Sequence, residues 1–270
     1  MIDPPQGPGV DADVDVRSPD APSASGPSPS LAEPLLVFLA VTALSSALYW
    51  IGKSVAVVDQ NLHGAIALVF LFGPSVAARI TKRPFDPYSA GLRLSPVRQN
   101  LLVLGLAIVL TWPIFFGAFL GFYAGVCPLT QDPSWAYWAD VMACPHWVGL
   151  ERAQLRLPPD FLWLSLTQLL VVAVPEEVFF RGYLQSRLEA RFPPTRRLWG
   201  APVGWALLLA SLLFAVGHVL VDFNPQRMAV FFPGLVFGWM RARTGSLAAA
   251  ALFHTLCNLY SDVLHLTFFP

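Results

Sequence analysis

The chain has 270 residues, 55% of them hydrophobic and 13% charged, and its 17 Lys and Arg cancel 17 Asp and Glu. Soluble domains carry about 25% charged residues, so these figures exclude a water-soluble globular enzyme, a disordered chain and a nucleic-acid binder, which needs a basic stripe. An integral protein of the lipid bilayer remains.

Taken in chain order, residues 1–33 are a Pro-, Ser- and Asp-rich tail with six acids (Asp3, Asp11, Asp13, Asp15, Asp20 and Glu33) and one base, Arg17. The rest of the chain holds 16 bases against 11 acids, so the neutral sum hides two regions of opposite sign. The tail has too few large apolar side chains to offset the entropy of ordering it, and disorder is expected. It lacks the basic start and apolar core of a secretory signal.

Apolar stretches able to cross a hydrocarbon core of roughly 30 Å as helices follow near 34–51, 62–80, 101–126, 162–184, 204–222, 228–241 and 246–266. No strand alternation of the barrel kind and no internal repeat is visible. The expected fold is therefore all-α, a polytopic transmembrane helix bundle of about seven to eight spans. Residues 34–126 form its N-terminal helices, 127–160 an extramembrane loop and 161–270 the helices that carry the polar motifs. The fourth and sixth spans are the weakest, the fourth because 176–181 is charged and the sixth because it is short.

The 127–160 loop holds Cys127 and Cys144, each followed by proline, and the aromatics Trp135, Tyr137, Trp138 and Trp147. An oxidising compartment would allow a disulfide that closes the loop; two free thiols are the alternative. The N-terminal tail and the loops after spans two, four and six gather 13 basic residues, Arg181 among them. The other side has four, Lys53, Arg152, Arg156 and Arg227. The positive-inside rule then puts the N-terminus in the cytoplasm, and the expected location is a bacterial inner membrane.

Ionisable groups inside apolar spans are costly and therefore point to function. Three clusters occur, all in the last 110 residues: Glu176-Glu177-x-x-x-Arg181, Phe214-x-x-x-His218 and His254-x-x-x-Asn258. Glu177 and Arg181 are four apart, share a helix face and can neutralise each other. Glu176 lies about 100° around the helix and stays available. Were span four to stop at Pro175, Glu176 would lie roughly 20 Å from the depth of His218. The two meet only if that helix runs from about 166 to 187, with Glu176 near mid-depth. His63 and His265, which have no matching partner, are expected to be structural.

A buried carboxylate beside a histidine can hold and deprotonate a water, while a second histidine and an asparagine donate hydrogen bonds to an oxyanion. That is peptide hydrolysis without a nucleophilic side chain. Neither a Gly-x-Ser-x-Gly element nor an activated cysteine accompanies these groups. Zinc held by Glu176, His218 and His254 is the alternative to a cofactor-free site.

The three motifs, in this order and spacing, resemble those of the CAAX protease and bacteriocin-processing family, intramembrane glutamic endopeptidases related to the Rce-type prenyl-protein proteases. The resemblance covers roughly residues 160–265 and extends to Gly182-Tyr183-Leu184-Gln185. It implies Glu176 as general base, His218 as its partner on the catalytic water and His254 with Asn258 as the oxyanion site. Glu177 and Arg181 would keep the first motif in shape, and Phe214 would pack beside the site. It also implies a membrane-associated protein or peptide as substrate, cut near its C-terminus. The tail and the cysteine-bearing loop resemble, within that family, the bacterial branch that trims C-terminal sorting tails, the myxosortase-like proteases. A non-enzymatic membrane protein (proton-coupled transporter, immunity factor or scaffold) would use the same buried groups for protons or partner contacts.

Overall fold

The protein is described by a computed structural model covering residues 30–270. All but the last four residues of the expected tail lie outside the described residues. Among the described residues the bundle is built from α1 (Ala32–Gly52), α2 (Leu62–Thr81), α3 (Val97–Leu129), α4 (Phe161–Arg191), α5 (Trp205–Asp222), α6 (Phe231–Thr244) and α7 (Ala248–Phe268). The one sheet among them is a small hairpin, β1 (Arg196–Leu198) and β2 (Ala201–Val203), paired antiparallel between α4 and α5.

Each apolar stretch in the sequence has its helix, and the protein is a helical membrane bundle. The first five helices are long and apolar enough to cross a membrane. With 14 residues, α6 reaches about 21 Å, short of the hydrocarbon thickness. The 21-residue α7 is long enough but carries His254, Asn258, Asp262 and His265 along its length.

Consecutive helices run antiparallel, so the connections collect at two ends. At one end the 82–96 loop lies on the turn between α6 and α7: Leu247 N donates to Gly91 O at 2.7 Å, and Gln99 Nε2 to Arg243 O at 2.8 Å. Arg187, near the end of α4, donates to Arg83 O at 3.0 Å, which brings the basic residues of three connections together. Glu33, counted with the tail acids, stands in the first turn of α1 at this same end. It is buried and pairs with Arg83 at 2.9 Å and Arg187 at 3.5 Å, and Tyr183 Oη donates to it at 3.3 Å. A carboxylate with three donors gains more from the folded bundle than from an unstructured tail.

At the other end Cys127 and Cys144 are joined in a disulfide. The loop it closes packs Trp147 on Phe268 at a centroid separation of 5.1 Å and on Tyr123 at 5.1 Å. Val148 N donates to Phe268 O at 3.1 Å, so the loop caps the end of α7.

The fourth helix departs from a regular span of the expected length in two ways. It runs on to Arg191, beyond the expected limit at 184, because its polar last turns have partners on α6. Arg241 donates to Glu189 Oε2 at 2.6 Å and to Ser186 Oγ at 2.6 Å. The turns Gln168–Ala173 and Val178–Gln185 are also widened to π-helix around the α-helical Val174–Glu177. Pro175 explains the first widening. Its ring has no N–H to give and would strike the carbonyl of Val171 in a regular α-helix.

α6 approaches α4 and α5 closely because two glycines one turn apart face them. A Cβ on Gly234 would meet Phe214 Cδ1 at 3.2 Å and Arg181 Nη2 at 3.3 Å; one on Gly238 would meet Gln185 Oε1 at 3.0 Å. That closeness sets the walls of the polar interior.

Candidate active site

The three motifs come together in the middle of the bundle. Glu176 is the central residue of α4, and its carboxylate oxygen Oε2 faces two imidazoles. His218 Nε2 from α5 lies 3.7 Å away and His254 Nε2 from α7 lies 3.8 Å away. Both separations exceed direct hydrogen-bonding distance and are of the kind a bridging water fills. Glu176 Oε2 is buried and has no hydrogen-bond partner. As the longer placement of the fourth helix requires, Glu176 and His218 face each other.

Each imidazole is anchored through its other nitrogen. His218 Nδ1 is 2.8 Å from Phe214 O. A carbonyl only accepts, so Nδ1 carries the proton, and Nε2 of the neutral ring presents a lone pair toward Glu176. His254 Nδ1 is 3.0 Å from Glu177 Oε1 and is held by that carboxylate. Its Nε2 then carries a proton only when the ring is an imidazolium.

Glu177 and Arg181 pair at 3.2 Å, as their spacing requires, and both are fully enclosed. Arg181 also donates to Gly234 O at 3.2 Å. Its guanidinium lies over Phe214 at 4.2 Å and Phe237 at 5.0 Å, so aromatic faces replace the water it has lost. Those rings hold the histidines too. Phe237 stacks on His254 at 4.7 Å with planes 18° apart, and Phe214 meets His218 edge-on at 4.5 Å. Because Glu177 and Arg181 cancel, Glu176 is the uncompensated charge of the site. One proton added to the group of Glu176, His218 and His254 brings the whole to formal neutrality.

Asn258, one turn beyond His254, lines the same cavity and donates from Nδ2 to Gln168 Oε1 at 2.9 Å. Gln168 and Phe237 are absent from the motifs read in the sequence. An uncharged amide eight residues before Glu176 was the available signal for Gln168; Phe237 is one of 20 phenylalanines, and nothing in the sequence sets it apart. The cavity has a volume of about 540 Å3 and includes His63, expected to be structural, on its wall. His265 stays apart from it and stacks on Phe269 at 5.0 Å. Arg181, counted with the basic loops, is interior and leaves the positive-inside argument to the remaining bases.

For the zinc alternative, the anchoring of both histidines through Nδ1 is the kind that metal-ligating imidazoles use. Among the described residues, however, no group of three His, Cys, Asp or Glu side chains is arranged to hold a metal ion.

A bundle of apolar helices around one enclosed carboxylate–imidazole group defines the class, an integral membrane protein with a polar site inside its helical bundle. Residues 158–260, which contain all three motifs, match the family model described as type II CAAX prenyl endopeptidase Rce1-like, and over this segment the chain is similar to that family. No curated protein and no solved structure matches the chain.

Proposed function

We propose that the chain is a glutamic-type intramembrane endopeptidase in which Glu176 and His218 activate a water against a peptide bond. The observation that carries this is the buried, unpartnered Glu176 Oε2 with two imidazole Nε2 atoms 3.7 and 3.8 Å away. A water between Glu176 and His218 meets two acceptors, gives each a hydrogen bond and turns its lone pair toward the cavity.

The water attacks the peptide carbonyl carbon as Glu176 takes its proton, and the carbonyl oxygen becomes an oxyanion. Asn258 Nδ2, with a second N–H beyond the one Gln168 accepts, and His254 Nε2 in the imidazolium form donate to that oxyanion. Collapse of the intermediate breaks the C–N bond, and the proton held by Glu176 passes to the leaving nitrogen. A carboxylic acid and an amine result, with no covalent enzyme intermediate. Glu177 accepts from His254 Nδ1 and orients the imidazolium, Arg181 holds Glu177 in place, and Phe214 steadies His218. No cofactor is needed for these steps; zinc on Glu176, His218 and His254 would instead polarise the same water, and metal content together with chelator sensitivity separates the two.

The proposed substrate is a membrane-associated protein or peptide cut near its C-terminus, the myxosortase-like resemblance extending this to sorting tails. The proposed location is a bacterial inner membrane, N-terminus cytoplasmic, with 161–270 the catalytic part. The test is comparison of membrane proteins in cells with and without the chain. A protein that keeps an untrimmed terminus without it, and that Glu176→Gln fails to trim while the wild type restores trimming, supports the reading. Full restoration by Glu176→Gln sinks it and leaves a transporter, immunity factor or scaffold, the first of which solute flux in sealed vesicles would reveal.

A further inference from the structure

The cavity that holds Glu176 is one-sided. Its walls come from the halves of six elements that point away from the basic end: Tyr49 late in α1, His63 early in α2, Gln168 early in α4, Val221 late in α5, Arg227 just before α6 and Ser261 late in α7. Exposure follows the same gradient. His63, Arg227 and Ser261 are open to the surroundings, whereas Glu176, Phe180 and His254 at the inner end are buried.

Toward the basic end the site is plugged. Every residue from Val178 to Gln185 is buried. Phe180 packs against Phe70 at 5.7 Å and against Phe214 at 4.9 Å, and Tyr183 closes on Phe85 at 5.5 Å. Glu33, Arg83 and Arg187 then tie the ends of α1, α2 and α4 together beneath this layer. A peptide has no path to Glu176 through that packing, because interiors at this density open only by separating helices.

We infer that the scissile segment reaches Glu176 from the end of the bundle opposite the arginine-rich fringe. With the fringe cytoplasmic, the substrate is a membrane protein whose scissile segment lies on the extracytoplasmic side. A chain modified and displayed on the cytoplasmic face would meet the plugged end. The inference rests on reading this cavity as the catalytic site, but its geometry can be tested without cleavage.

The experiment uses a membrane-impermeant sulfonated maleimide on intact and on permeabilised cells. The reporter is Ser261→Cys in a Cys257→Ala background, Cys127 and Cys144 being joined to each other. Leu150→Cys marks the loop end and Trp199→Cys the fringe end, both at exposed positions. The expected result is labelling of Ser261→Cys and Leu150→Cys in intact cells, and of Trp199→Cys only after permeabilisation. Native Cys257, which also lines the cavity, is the second reporter and requires no substitution.

Labelling of the cavity reporters only together with Trp199→Cys overturns the inference. So does equal labelling from both sides, or none while both markers react. Unimpaired cleavage by Glu176→Gln alongside one-sided labelling would remove the catalytic reading and leave the access route standing.

Discussion

Arg181→Met removes the cation from an ion pair that has no contact with solvent. Arg181 is 1% exposed and Glu177 0%, and the pair is joined at 3.2 Å. Removing one partner of such a pair strands a charge and costs about 3–5 kcal/mol. Methionine keeps an apolar body of similar length between Phe214 and Phe237, so little packing is lost. Glu177 also retains His254 Nδ1 at 3.0 Å, which selects the lower end of the range. About 3 kcal/mol is on the order of a hundredfold in the ratio of folded to unfolded protein.

Unfolding of the purified protein in mixed micelles, titrated with a denaturing detergent, reads this change. The partner variant Glu177→Gln with Arg181→Met removes both charges and is predicted to recover at least about half of the loss, because no uncompensated ion is left. A single Arg181→Met loss under about 1 kcal/mol, the scale of an exposed pair, would refute the reasoning. A double variant no better than the single would do the same.

Gly234→Ala drives a Cβ against Phe214 and Arg181 and is predicted to cost about 1–3 kcal/mol in the same titration. Gly117→Ala, with nothing within 4 Å of its Cβ, is the control and should not destabilise. Cys127→Ser opens a cross-link between residues 17 apart and is predicted to lose about 3 kcal/mol; reductant should reproduce the loss in the wild type and leave the variant unchanged. Gln168→Leu takes away the acceptor that orients Asn258, worth about 1–3 kcal/mol. It should appear as a lower kcat at unchanged KM, with Gln168→Glu, which still accepts, close to wild type.

The helices were legible because a membrane span needs only length and apolarity, and both are local properties of the chain. Glu177 with Arg181 was legible for the same reason, since a spacing of four fixes a helical neighbour. The meeting of Glu176 with His218 was reached through depth alone, by asking which helix placement lets both groups leave lipid.

What escaped depends on contacts between distant segments. The end of α4 at Arg191 follows from Arg241 on α6, 52 residues from Glu189. Burial of Glu33 follows from Arg83 and Arg187, which turn an apparent tail acid into a clamp. Gln168 was hidden because its partner Asn258 is 90 positions away. His254 was read as an oxyanion donor, and nothing in the sequence shows Glu177 holding its Nδ1, the contact that makes this role depend on an imidazolium.

The central claim is that Glu176 and His218 act on one water. Cleavage rates of Glu176→Gln, His218→Ala and the double variant, measured in liposomes on the substrate identified by its accumulation in cells, test it most directly. Each single change should lower kcat by about 10²–10⁴ while the protein stays folded, and the double should be no slower than the worse single, because a shared water is lost only once. Single variants near wild-type rate, or a double variant whose loss is the product of the two, would contradict the claim.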